Sequence, residues 1–592
     1  MNLNRISLSN FTKNNINKEN NNSNRYYGLN SASALKADTV SFSSKNNKLT
    51  PTEKLTKVAN EILDENNFEP GQKIRISGDS KYLPLMNALS AEAYKKDSGK
   101  VVYNVIEPEI EALKKKYKIN ESFDYEKKEL NDLKDSGALF INLDEKDYYK
   151  KAGLSKSEIK SELEKISTAV PKDVQKLFKI KPEEIFKDAL DIKKGQPVRI
   201  RGEREHLPLI VKLADWLYSE NDTKLIDISM TDDNNLNLLK YGNEKLLEEY
   251  PQSLVDKEKE SYEKDIAYLI LDGEDPNRYE GIPSEKIVKQ SKTTRKATQE
   301  THNNIVNHIP WLVYYAPTTK SCASVYPEYD NPIDALKHAY KDANKINRMG
   351  HLAEHVDALN YRAKKMNELI DNGYKTLHYV SVNPETKLPD GKTDFRVTMS
   401  PKSVFNAARM KMDKFGHEPL VNIPTEEVFT APQADTAQGV ISATMPLSLN
   451  GKIVEGIQFT FDKGKIVDIK ADTNEEMLKS HIKSFENADR LGEVAIVAGS
   501  PIAKTGRLFN STLLDENASC HLAIGSAYPD TIKGASEIED YNEMQEYLKD
   551  LNINSSATHN DFMVGGKDVY IYAINDETGD KIPVIKDDKF LL

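Results

Sequence analysis

Hydrophobic and polar positions change period several times along this chain. In "GQKIRISGDSKYLPLMNAL" (71–89) alternating residues give way, after Gly78, to the spacing of an amphipathic helix. The same succession returns as "GQPVRIRGEREHLPLIVKL" (195–213), at an offset of 124 residues, with Gly71/Gly195, Arg75/Arg199, Gly78/Gly202 and Pro84/Pro208 coinciding. Each copy continues into a second strand ("KVVYNVI", "KLIDISM"), a charged helical stretch and a third strand ("GALFINLD", "IAYLILDG"). Strands alternating with helices predict a parallel α/β sheet, and several elements per copy indicate a duplicated domain rather than a solenoid. Neither copy has G-x-G-x-x-G or a P-loop, and each places a proline in the first helical turn. The strand–turn–helix therefore reads as scaffold rather than phosphate site.

Downstream, "NHIPWLVYYAPT" (307–318) reads as a buried strand, and 332–373 as one long helical stretch ending at Gly373. His338, His351 and His355 fall on that stretch. His351 and His355 could share a face, but the Glu of H-E-x-x-H is missing, which favours surface or buried polar histidines. From 374 onward β-like runs dominate: "TLHYVSV", "TDFRVTM", "GVISATMPLS", and "IVEGIQFTFDKGKIVDIKAD" with a hairpin turn at Asp462-Lys463-Gly464. The expected division is an Asn/Ser-rich disordered tail (1–50), an extra α/β copy (51–177), a second α/β domain (178–345) and an α+β domain (346–592). The fold class is α/β, with duplicated, parallel, Rossmann-like N-terminal units followed by the α+β domain.

Composition narrows the function. With 30% charged and 38% hydrophobic residues the chain suits a globular protein, and its net charge of −11 disfavours nucleic acid or anionic membrane as partner. Two cysteines, Cys322 and Cys520, leave no disulfide framework and no thiolate metal cluster. No stretch reaches the roughly 18 consecutive apolar residues of a membrane span, and no secretory core opens the chain. The expected compartment is the cytoplasm.

The concentrated chemistry lies in four clusters of hard ligands. "NIPTEEVFTAP" (422–432) carries Glu426 and Glu427 beside an apolar pair; "RLGEVAIVAG" (490–499) places Glu493 in an apolar strand, where an uncompensated carboxylate costs several kcal/mol. "DENASCHLAIGSAYPD" (515–530) carries Glu516, His521 and Tyr528; "SATHNDFMVGG" (556–566) carries His559 and Asp561, which on a strand share a face. In the third cluster a helix starting near Asn517 would put His521 and Tyr528 on one face and leave Glu516 in the preceding turn, with small residues keeping that helix slim. Asp515 reads there as a structural acid, and Cys520 as a small buried residue. Together Glu427, Glu493, Glu516, His521, His559 and Asp561 form an oxygen- and nitrogen-rich set suited to two divalent ions.

These motifs, in this order, resemble the thermophilic aminopeptidase family of dinuclear metallopeptidases, over about residues 178–592. The resemblance implies a cytosolic exopeptidase that removes N-terminal residues from peptides and works as a homodimer, with the α+β domain as its catalytic domain. It implies two divalent ions per chain (Zn, Co, Mn or Mg) on Glu427, Glu493, Glu516, His521, His559 and Asp561. Glu493 is expected to bridge the ions, and Tyr528 to stabilise the oxyanion; both count as catalytic. Glu426 is a candidate general base. Ser511 stands where the family pattern suggests Asn. Competing readings are a dinuclear dipeptidase or amidohydrolase, and a non-catalytic protein that retains the fold.

Overall fold

The computed structural model describes residues 49–592 apart from residues 413, 450, 451 and 539. The tail expected over 1–50 thus falls, but for its last two residues, outside the described residues. Strands β1 (Ile74–Asp79), β2 (Val101–Ile106) and β3 (Leu139–Asn142) form a parallel sheet in the order β2-β1-β3. Strands β4 (Val198–Gly202), β5 (Ile226–Met230), β6 (Ala267–Asp272) and β7 (Trp311–Tyr315) join β8 (Asn422–Ile423) in a second parallel sheet, ordered β8-β7-β6-β4-β5. In the first, Ile74 faces Val101 and Leu139; in the second, Val198 faces Ile226 and Ala267.

Each first strand leaves its glycine through a single 3-10 turn, Ser80–Tyr82 or Arg204–His206, into helix Leu83–Lys95 or Leu207–Ser219. Pro84 and Pro208 sit in the first turn of those helices, where an amide proton has no intrahelical acceptor to lose. The carboxylates of Asp79 and Glu203 stand just past the glycines, a poor setting for a phosphate.

The stretch expected as one helix over 332–373 is two, Pro332–Ile346 and Leu352–Asp371. The break carries Arg348 and Gly350 at φ +54° and +79°. His351 precedes the second helix, whereas His355 is buried and donates through Nε2–H to the Thr425 carbonyl at 2.7 Å. The two histidines do not form a ligand pair.

Two large antiparallel sheets, besides the short pair Leu447–Leu449 with Lys452–Val454, occupy the C-terminal half among the described residues. One has eight strands, running from Lys465–Lys470 at one edge through Pro389–Thr398 and Thr376–Val382 to Lys589–Phe590 at the other. The smaller sheet consists of β9 (Glu427–Thr430), β10 (Leu491–Val497), β11 (His521–Gly525) and β12 (His559–Met563), in that order. Val428, Val494, Ile496, Leu522, Ile524 and Phe562 of the small sheet join Tyr379, Phe395 and Phe459 of the large one in a single core.

The helix expected from Asn517 is not formed. Helix Thr512–Glu516 ends there, and residues 521–525 are a central strand paired on both sides. His-Leu-Ala-Ile-Gly alternates, so Leu522 and Ile524 point into the core while His521 and Ala523 point to the opposite face. Two long-range ladders and that burial outweigh the local helical preference of a small-residue run. Among the described residues no helix is long and apolar enough to cross a membrane.

Candidate metal centre

Residues directly opposite each other in antiparallel strands project to the same face. Glu427 faces Val497, Ala495 faces His521, Glu493 faces Ala523, Ala523 faces Asp561 and Gly525 faces His559. Five of the six expected ligands therefore stand on one face of the small sheet, with Ala495, Ala523 and Gly525 between them. Gly525 is at φ +105°, and a Cβ there would meet the Thr558 carbonyl oxygen at 2.1 Å. The small residues do clear space, but on a strand rather than on a slim helix.

The polar atoms form two clusters that share one residue. Glu427, Glu493 and His521 make the first; Glu493, His559 and Asp561 make the second, each offering ligand atoms within 4.8 Å of one another. His521 Nε2 lies 3.0 Å from Glu427 Oε2 and 3.5 Å from Glu493 Oε1. His559 Nε2 lies 3.1 Å from Glu493 Oε2 and 3.2 Å from Asp561 Oδ1. Glu493 is 2% exposed and His521 fully buried.

The imidazole tautomers follow from their outer partners. His521 Nδ1 meets the Ser519 carbonyl at 3.1 Å, and His559 Nδ1 meets the Ser526 carbonyl at 2.6 Å. A carbonyl only accepts, so Nδ1 carries the proton and a neutral ring turns its Nε2 lone pair towards carboxylates. That arrangement calls for a positive charge between the ring and the acids. The contact of His521 Nε2 with Glu427 Oε2 also lacks hydrogen-bond geometry, which suits a cation bound by both. The same demand shows in the titration. Burial lowers the His521 pKa, but Glu427 and Glu493 outweigh it and raise it well above the usual value. Burial raises the Glu493 pKa, but His521 and His559 outweigh it and bring it down to about 2. Histidine nitrogens and carboxylate oxygens without thiolate form a donor set for a borderline or hard divalent ion.

Glu516 is buried at the end of helix Thr512–Glu516, which lies against β12, yet it stands outside both clusters. It belongs to that short helix, not to a turn before a longer one. Asp515, also in this helix, accepts the backbone N–H of Phe509 at 2.9 Å and of Ser511 at 3.2 Å; burial pushes its carboxyl up to about 7. Tyr528 lies past the end of β11, its ring 4.6 Å from that of His559 and 6.2 Å from that of Phe429. Cys520 is buried, its Sγ–H donating to the Val497 carbonyl at 3.0 Å.

Glu426, the candidate general base, is engaged by other groups. Its fully buried carboxylate takes both arms of Arg348, at 2.8 and 2.6 Å, and His355 Nε2 lies 3.5 Å away. Its backbone N–H donates to Asn517 Oδ1 at 2.7 Å, tying the residue before Glu427 to the residue after Glu516. Arg348 and Asn517 were invisible in sequence as parts of the centre. The sole cue was an asparagine and an arginine beside segments otherwise destined for burial.

A family model described as "Thermophilic metalloprotease (M29)" matches residues 182–590. Aminopeptidase AmpS of Bacillus subtilis is 33% identical over 406 residues, covering 67% of this chain and 94% of that protein. Aminopeptidase T of Thermus aquaticus is 28% identical over 413 residues, 68% of this chain and 95% of its own length. Among solved structures, wild-type AmpT from Thermus thermophilus superposes with a TM-score of 0.63 at 27% identity, covering 71% of this chain and 99% of that one.

Proposed function

The chain belongs to the thermophilic metalloprotease (M29) family and is a metallo-aminopeptidase; we propose that it removes N-terminal residues from peptides with a dinuclear centre shared by Glu493. The observation that carries this reading is the position of Glu493, common to two ligand clusters on one sheet face. Glu427 and His521 would hold one ion, and His559 and Asp561 the other, with Glu516 completing the set from its helix. Four carboxylates would then balance two divalent cations. Ions bound here would lower the pKa of a water towards neutrality and polarise the scissile carbonyl. Ser519 and Ser526 fix the two rings through their carbonyls, so that Nε2 of each faces the centre. Arg348 holds the Glu426 carboxylate and Asn517 its backbone N–H, and together they would fix the entry of Glu427 into β9. Tyr528, whose ring lies against His559, would stabilise the developing oxyanion through its phenolic O–H.

Further parts of this reading rest on the sequence repeat and the family resemblance. Residues 51–177 are an additional copy of the family's N-terminal α/β domain. Matching strand order and register in the two parallel sheets support that duplication. The protein works in the cytoplasm as a homodimer, on substrates with a free N-terminus.

Metal analysis and turnover of an aminoacyl-p-nitroanilide test the proposal together. Up to two ions per chain are expected, and Glu493→Gln should lower both metal content and turnover, the latter by at least about 100-fold. Full activity of that variant would remove Glu493 from the centre. Equal cleavage of N-acetylated peptides would favour the amidohydrolase reading instead.

A further inference from the structure

The two parallel α/β units lie against each other, and their contacts repeat in reverse. Helix Leu83–Lys95 of the first unit packs on helix Asn234–Tyr241 of the second, and helix Pro108–Tyr117 of the first on Leu207–Ser219 of the second. By sequence and strand order, Leu83–Lys95 is the counterpart of Leu207–Ser219, and Pro108–Tyr117 of Asn234–Tyr241. A third contact joins a helix to its own counterpart, Asp124–Asp135 to Gln252–Glu263. An interface in which A meets B′ while B meets A′ is isologous, the pattern of a two-fold axis.

Side chains follow the same rule. Tyr117, last in its helix, sets its ring 5.6 Å from that of Tyr218. Tyr241, last in the counterpart helix, receives the ammonium of Lys95 at 4.8 Å, beside Tyr94, the counterpart of Tyr218. Leu85, Met86 and Leu89 of one unit share a hydrophobic core with Leu238, Leu239 and Leu246 of the other.

The third helix pair runs antiparallel. At one end the N–H groups of Asp124 and Tyr125 donate to the Glu260 carboxylate, both at 2.9 Å; at the other Ser253 donates to Glu129 at 3.3 Å. Between them Lys128 and Asp256 meet at 2.5 Å. Each stands eleven residues before the first residue of its unit's third strand, Leu139 or Ala267, so they are counterparts and mark the pseudo-axis.

A residue on such an axis meets its own counterpart. Two copies of the first unit would oppose Lys128 to Lys128, and two copies of the second would oppose Asp256 to Asp256. The pairing formed within this chain is the one that joins opposite charges, and like charges disfavour the other two.

We propose that the first α/β unit is a tethered pseudo-subunit: through a pseudo-two-fold contact it covers the helical face by which the second unit would pair with a second copy of itself. The charges at 128 and 256 select this internal pair. The inference rests on the duplication proposed above and is independent of the peptidase chemistry, so its failure would leave that chemistry standing.

Residues 167–171 join the units without helix or strand, so a specific protease site placed there nicks the folded full chain in place. The nicked pieces are expected to stay associated at micromolar concentration and to separate on dilution. Asp256→Asn should speed that separation about two- to five-fold, the value of one partly exposed ion pair. The released C-terminal piece should self-associate beyond the intact protein in sedimentation, and Asp256→Asn should tighten that self-association. One substitution thus acts with opposite sign on the two pairings. A released piece that keeps the association state of the intact protein, or one whose self-association Asp256→Asn weakens, would overturn the proposal.

Discussion

Glu493 and Asp561 lie in one cross-strand row, on either side of Ala523. The single methyl group between them lets carboxylates from two strands approach the same imidazole, that of His559. Ala523→Val adds two carbons to this gap, an overpacking that costs about 1–3 kcal/mol. Metal affinity and turnover should fall at least about ten-fold while the fold is retained. Thermal melting with and without added metal checks this; an unchanged metal-dependent shift in Tm would show that the row carries no ion.

Tyr528→Phe keeps the ring against His559 and removes only the hydroxyl. If that hydroxyl steadies the oxyanion, kcat should drop by roughly 100-fold with KM little changed. A rise in KM at constant kcat would assign Tyr528 to substrate binding instead.

Arg348 is the bidentate partner of the fully buried Glu426. Arg348→Met should strand that carboxylate and cost about 3 kcal/mol. Arg348→Met combined with Glu426→Gln should recover much of the loss. Urea unfolding of the two variants separates a buried-charge penalty from simple lost contact.

His206 is buried and neutral. Burial lowers its pKa to about 4, against the accepting Ala316 carbonyl, which raises it. The folded pKa lies below the unfolded value, so the stabilising contribution is complete above pH 6.5 and is lost as pH falls towards 4. The span amounts to about 3 kcal/mol. His206→Gln should flatten the decline in Tm between pH 6.5 and 4; an identical decline would place the acid sensitivity elsewhere.

The candidate site was legible as an inventory. Buried carboxylates and histidines have few inexpensive explanations, so Glu427, Glu493, His521, His559 and Asp561 stood out without any knowledge of their neighbours. The parallel units were legible too, because turn chemistry and the first-turn proline are local signals repeated at a fixed offset. Local cues failed at 515–530. Ala, Ser, Cys and Gly there suggest a slim helix, whereas the alternation in His-Leu-Ala-Ile-Gly carried the contrary signal. The run 332–373 misled in a similar way, since nothing local requires Arg348 to leave the helix for Glu426.

The sequence by itself thus determined which groups must be compensated when buried and which segments repeat, since both follow from the chemistry of single residues and short runs. Only the tertiary structure decided that β11 is a doubly paired strand rather than a helix, and that Glu426 is taken by Arg348. It also brought the two parallel α/β units together, with Lys128 against Asp256. Each of these depends on partners many residues apart in the chain, and a local pattern does not say which distant strand or helix its segment will meet.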